Sequence, residues 1–237
     1  MSSTTTMPVA SETVQFPSDG FTIKAFLAHP AQSTTQAPAV MILHEWWGLT
    51  DHIKTIARRF VEEGYVALAP DLYSRQGYAV TSDPNEAARL MSTLSSQAAL
   101  RDLNAATQFL STQPFVDPLH LGIIGFSMGG TLALTMATHN SDFKVAVVFY
   151  GKIPLLESLD ALLCPVLYHY AAQDTWVTKQ EVDRLRQGLE QYGKPGEIVS
   201  YNCPHAFFNE TRQEVYRRSE ASRAWETTRR FFATHLH

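Results

Sequence analysis

The sequence predicts one α/β domain: a mostly parallel central sheet covered by helices on both faces, with no large cap. Strand-like and helix-like segments alternate along the chain, which is how a parallel sheet with crossover helices is written. Residues 39–44 (AVMILH) form a continuous apolar run, as expected of a central strand buried on both faces. A second such run, residues 121–126, leads straight into Gly125-Phe126-Ser127-Met128-Gly129, with helical spacing immediately after it.

Taken in order, residues 13–16 and 21–29 read as an opening antiparallel pair joined through Ser18-Asp19-Gly20, and residues 1–12 as a disordered lead-in. The strand at 39–44 is followed by a helix over 52–63, which Gly64 stops. Residues 65–69 form the next strand, closed by Pro70-Asp71. Helical spacing covers 82–91 and 96–110, with Asp83-Pro84 placing a proline in the first turn. The strand over 121–126 and a helix over 128–138 come next. Strands at 145–150 and 165–170, a helix at 179–191, a last strand at 197–201 and a terminal helix over 212–234 complete the pattern. No composition break or repeat divides residues 13–237, which read as a single domain. Only about 14 residues separate the strands ending near Tyr150 and beginning near Pro165, so any site at that end is expected to be open.

Composition narrows the function. Of 237 residues, 45% are hydrophobic and 18% charged, which suits a globular chain and not a disordered or coiled-coil one. A formal net charge of -4 gives no basic surface for nucleic acid or anionic lipid. No apolar stretch approaches the ~18 residues of a membrane span, and the first residues lack a basic and apolar export signal. Two cysteines, Cys164 and Cys203, do not make a disulfide framework. The expectation is a cytoplasmic protein, monomer or homodimer, acting on a small molecule and needing no cofactor.

The Gly-x-Ser-x-Gly segment sits where it has a mechanical meaning. A strand running into Ser127 and a helix leaving it force a sharp elbow, and the flanking glycines remove clashing Cβ atoms. Ser127 then stands at the carboxyl end of the sheet beside a helix N-terminus, which favours developing negative charge. A serine hydroxyl needs a base, and that base an orienting acid. In such a sheet both come from loops after later strands, in the order Ser, acid, His. Asp174 follows the strand at 165–170, and His205 follows the strand at 197–201. The other acidic residues nearby, Glu157, Asp160 and Glu181, end no strand. No His or Cys spacing suggests a metal site. The loop after the first central strand, His44-Glu45-Trp46-Trp47-Gly48, is placed to give the Trp46 amide to an oxyanion hole alongside the Met128 amide. Glu45, a carboxylate at the mouth of that hole, is either an exposed loop carboxylate or, the preferred reading, a buried one that hydrogen-bonds the nucleophile or orders the loop. Trp46, Trp47, Tyr150, Trp176 and Phe208 flank these positions as a candidate aromatic pocket.

HEWWG (44–48), GYVALAPDLYSR (64–75), Arg101-Asp102-Leu103, GFSMGG (125–130), FYG (149–151), AAQD (171–174) and PHAF (204–207) together resemble the dienelactone hydrolase family of α/β-hydrolases. The resemblance runs from about residue 13 to 234 and implies an α/β-hydrolase fold. It also implies Asp174 and His205 as triad partners and a Glu at position 45 that touches the resting nucleophile. Two positions depart from the family pattern. The best-known members use Cys where this chain has Ser127, and they place a substrate-binding arginine where it has Asn209, which is therefore a pocket candidate. A second family arginine has only Arg89 as a loose counterpart. The expected activity is cleavage of small carboxylic esters or lactones through an acyl-enzyme. Dienelactone hydrolysis proper is the alternative, and a non-catalytic ligand-binding member of the fold is the second.

Overall fold

The computed structural model describes residues 8–32 and 35–236. Strand β1 (Val9–Ser18) and strand β2 (Phe21–Pro30) form a hairpin in register from Val9↔Pro30 to Ser18↔Phe21. Its two-residue loop, Asp19 and Gly20, has φ of 48° and 77°, the left-handed pair that matches the twist of the flanking strands. Residues 9–12, expected to be disordered, belong to this strand because each pairs with a β2 residue; residues 1–7 lie outside the described residues.

Next come strand β3 (Ala37–Leu43), helix α1 (Asp51–Glu62), strand β4 (Val66–Pro70), helix α2 (Pro84–Thr93) and helix α3 (Ser96–Ser111). Strand β5 (Val116–Phe126), helix α4 (Met128–His139), strand β6 (Phe143–Phe149) and strand β7 (Val166–Ala171) follow. Helix α5 (Lys179–Gln191), strand β8 (Gly196–Tyr201) and helix α6 (Arg218–His235) end the chain. Local chemistry starts several helices: Asp83 caps the first turn of α2 with Pro84 inside it, and Thr178 and Glu181 form a reciprocal capping box at α5.

All eight strands form one sheet, ordered β1-β2-β4-β3-β5-β6-β7-β8. β2 is antiparallel to its neighbours, and from β4 to β8 every pairing is parallel. Alternate residues of the central strands enter two cores. Ala39, Met41 and Leu43 of β3 pack with α2, α3, α4 and α5; Val40 and Ile42 pack with α1 and α6. From β3 the chain winds one way to β4 and the other way to β5. That reversal is a topological switch point, where the carboxyl ends of neighbouring strands leave a crevice. The residues leaving β3 and β5 there are 44–48 and Ser127.

The other end of the chain also departs from expectation. The terminal helix begins at Arg218, not 212. Residues 212–217 form turns, in which the Tyr216 amide donates to the Arg212 carbonyl and the Arg217 amide donates to the Phe207 carbonyl, so the chain folds back before the helix can start. The 150–165 connection contains one 3-10 turn, Leu156–Ala161, and no helical cap.

His169, inside β7, is fully buried and satisfied, its ring nitrogens 3.0 Å from the Tyr201 hydroxyl and 2.9 Å from the Thr228 hydroxyl. Burial pushes its pKa down to about 3, and that of His52 on α1 to about 4. Both stay neutral in the fold while the unfolded chain takes up protons below ~6.5. Their stabilisation is complete above pH ~6.5 and drains away as pH falls through the folded values. Melting temperature should therefore drop between pH ~6.5 and ~4, and less so in His169→Gln. An equal slope in that variant would contradict the assignment to His169.

Candidate active site

The elbow carries the most strained backbone of the site. Ser127 has φ 53° and ψ −116°, outside the regions open to ordinary L-residues. Its amide donates to the Phe149 carbonyl at 2.9 Å, and its carbonyl accepts from the Thr131 amide, so strand β6 and the first turn of α4 hold the conformation. A Cβ at Gly125 would strike the Gly129 carbonyl, and one at Gly129 would strike the Leu43 carbonyl, so no other residue permits this approach. Of the five described non-glycine residues with positive φ, three surround the site: Ser127, Tyr150 and Ala206.

Ser127 Oγ lies 2.8 Å from His205 Nε2, and His205 Nδ1 lies 2.6 Å from Asp174 Oδ2. Asp174, whose side chain is wholly buried, accepts at its other oxygen from the Trp176 amide (2.7 Å) and the Val177 amide (3.1 Å). The carboxylate can only accept, so the His205 proton sits on Nδ1 and Nε2 is free to take the serine proton. Glu181 instead pairs with Lys152 and caps α5.

The turn after β3 is fixed from several sides. His44, fully buried, donates from Nδ1 to the Glu45 carbonyl (2.5 Å), and its Nε2 accepts from the Leu72 amide (3.0 Å). The Gly48 amide also donates to the Glu45 carbonyl, and the Tyr73 hydroxyl donates to the Trp46 carbonyl at 3.0 Å. Among the described residues the Trp46 and Met128 amides have no hydrogen-bond acceptor. They remain available as donors beside Ser127.

Glu45 is 3% exposed. Its carboxylate accepts from Asn209 Nδ2 (2.5 Å) and, more weakly, from the Tyr150 hydroxyl (3.4 Å), and makes no bond to Ser127. Burial pushes its pKa up, against the lowering effect of the Asn209 hydrogen bond and the nearby His205. Burial, and then the neighbouring Glu45, hold the Tyr150 phenol protonated.

A cavity of about 300 Å³ opens over these groups. Trp46, Trp47, Trp176 and Met91 give it an apolar wall, and Ser127, His205 and Glu45 stand at its base. Three expected pocket residues do not line it. Tyr150 and Phe208 are buried beneath it in the aromatic packing around Phe149, and Asn209, 3% exposed, turns inward to Glu45. Arg89 also stands apart, paired with Glu86 on the exposed face of α2. Met91, Thr175, Ala206, Val215 and Arg212 line it without being marked by the sequence; the one with chemistry is Arg212, whose guanidinium lies 4.4 Å from the Trp47 ring centre and whose Nε donates to Glu214. The sequence places Arg212 at the start of a helix, whereas it lies in the turns before it.

Several of the resembling motifs serve the scaffold. Arg75 makes a bidentate pair with Asp102 at 2.8 Å, tying the turn after β4 to α3, and Arg101 pairs with Asp19.

A switch-point crevice, a strained serine elbow and parallel strands delivering an acid and a histidine define an α/β-hydrolase. Residues 23–236 match the dienelactone hydrolase family. A protein of Aquifex aeolicus described as "Putative carboxymethylenebutenolidase" is 32% identical over 233 residues, covering 94% of this chain and 98% of its own. An Escherichia coli K12 protein of the same description is 32% identical over 254 residues, covering 95% and 92%. A crystal structure described as "Putative Dienelactone Hydrolase" from Klebsiella pneumoniae superposes with a TM-score of 0.90 at 29% identity, covering 96% of this chain and all of that one. The chain belongs to the dienelactone hydrolase family.

Proposed function

We propose that this protein is a serine hydrolase that cleaves small carboxylic esters or lactones through an acyl-enzyme. The observation that carries the reading is the Ser127–His205–Asp174 hydrogen-bond chain, 2.8 and 2.6 Å long, at the base of the cavity. Ser127 Oγ attacks the substrate carbonyl while its proton passes to His205 Nε2, and Asp174 stabilises the imidazolium that forms. The oxyanion accepts from the Trp46 and Met128 amides. His205 then gives its proton to the leaving alkoxide, and water, deprotonated by the same nitrogen, releases the acid.

A second reading, hydrolysis of a carboxylated dienelactone, draws on Arg212, the cation in the cavity wall, and on the relatives' descriptions. Measuring kcat/KM for p-nitrophenyl esters, neutral lactones and dienelactones separates the two. A cavity of about 300 Å³ holds a short acyl chain. Acetate and butyrate esters should therefore be the best of the ester series, and a steady rise from butyrate to palmitate would contradict this account of the cavity. A preference for the dienelactone over neutral lactones would favour the second reading.

A further inference from the structure

Besides Ser127 after β5 and Asp174 after β7, the site draws on 44–48 after β3, Tyr150 after β6 and 205–209 after β8. One side chain of the 44–48 turn touches both Tyr150 and the 205–209 turn. Glu45 accepts from Tyr150 on one oxygen and from Asn209 on the other. Asn209 is itself held, since its Oδ1 accepts from the Thr211 amide (3.0 Å) and the Thr211 hydroxyl (2.7 Å). That leaves its NH₂ pointing at Glu45 and settles which way round the amide lies. Tyr150 in turn packs edge-on against His205, 4.9 Å between ring centres.

The backbone of 45–48 is tied by His44 and Gly48 at the Glu45 carbonyl, by Tyr73 at the Trp46 carbonyl, by Thr81 at the Trp47 carbonyl and by Thr50 at the Gly48 carbonyl. The hydrogen bond between this turn and the histidine-bearing turn runs from Asn209 to the Glu45 side chain. We infer that Asn209 is a positioning residue: through Glu45 it locks the Trp46 amide to the turn carrying His205, and it keeps the Glu45 carboxylate off the Ser127 hydroxyl. The inference rests on the hydrolase reading above. It assigns Asn209 a place beneath the site, acting through Glu45, and no contact with substrate. A shift of about 1 Å in an oxyanion donor or base can cost ~10²-fold in rate, so a single buried hydrogen bond between the two turns is enough to matter.

The test exploits the polarity of the pair. Asn209→Asp keeps the shape and still accepts from Thr211, but replaces the amide donor facing Glu45 by a second carboxyl group, so the like charges repel unless the pair takes up a proton. In the double variant Glu45→Gln/Asn209→Asp the hydrogen bond is restored with its direction reversed. The introduced glutamine amide donates to the introduced carboxylate, and its oxygen still accepts from Tyr150. With a p-nitrophenyl ester at a fixed pH of about 8, Asn209→Asp alone should lower kcat at least ~10-fold with KM moved less than ~3-fold. Made in the Glu45→Gln background, the same substitution should cost less than ~3-fold. A residue that merely supports the fold would cost the same in both backgrounds. Equal costs, or a loss under ~3-fold with Glu45 intact, would overturn the inference. Should Asn209→Asp not fold, Asn209→Ala decides: kcat per folded molecule down at least ~5-fold at unchanged KM supports the lock, and kcat within ~2-fold of wild type overturns it. Fluorophosphonate labelling of the wild type keeps the two readings apart. An unlabelled Ser127 removes the hydrolase reading, whereas a labelled Ser127 with an indifferent Asn209 removes this inference alone.

Discussion

Ser127→Ala is expected to lower kcat for a p-nitrophenyl ester by roughly 10⁴–10⁶-fold, leaving only what a bare oxyanion hole and binding can do. The size of the effect follows from covalency. His205 Nε2 has the serine hydroxyl at 2.8 Å as its proton donor, and without that oxygen there is no acyl-enzyme. Water positioned by His205 would have to attack directly, without the effective concentration of a built-in nucleophile. Stability should change little, because Ser127 is held by backbone bonds to Phe149 and Thr131 that alanine retains. In the pre-steady state the variant should show no burst of p-nitrophenol. Retention of more than about a hundredth of the wild-type kcat would mean that another group attacks the carbonyl.

Asp174→Asn is expected to cost roughly 10⁴-fold, although the side chain keeps its shape. Asp174 Oδ1 already accepts from the Trp176 and Val177 amides, so the asparagine oxygen must occupy that place. The new NH₂ then faces His205 Nδ1, where the carboxylate oxygen stood at 2.6 Å. A donor there makes Nδ1 the acceptor and moves the ring proton to Nε2, which can no longer take a proton from Ser127. The tautomer is wrong and the geometry right. Binding of a non-hydrolysable ester analogue should be nearly unchanged while the rate of phosphonylation falls with kcat. A loss smaller than ~10-fold would show that Asp174 is not what orients His205.

Much of this site could be read before the fold was seen, because its parts are mechanical. An apolar strand followed by Gly-x-Ser-x-Gly and a helix admits few geometries. Asp174 and His205 follow from the same logic, each being the residue of the required type in the loop after a later strand, in the order Ser, acid, His. The positions that escaped depend on contacts made far along the chain. Spacing over 212–234 is helical throughout, yet the bond from the Arg217 amide to the Phe207 carbonyl turns residues 212–217 out of the helix and into the cavity wall. Asn209 looked like a pocket residue because it follows His205. Which way its side chain points is decided by Thr211 on one side and by Glu45, on another strand end, on the other. Tyr150 and Phe208 flank the site in sequence but are drawn beneath it by the aromatic core. Residues 9–12 carry no strong strand signal of their own and become a strand through pairing with β2.

The reading depends most on a covalent intermediate at Ser127, and intact-mass spectrometry after treatment with a fluorophosphonate, followed by peptide mapping, tests it directly. The account predicts one phosphonyl adduct per wild-type chain, located on Ser127, and none on the Ser127→Ala variant. An unmodified wild-type chain, or an adduct that persists when Ser127 is replaced, would contradict it.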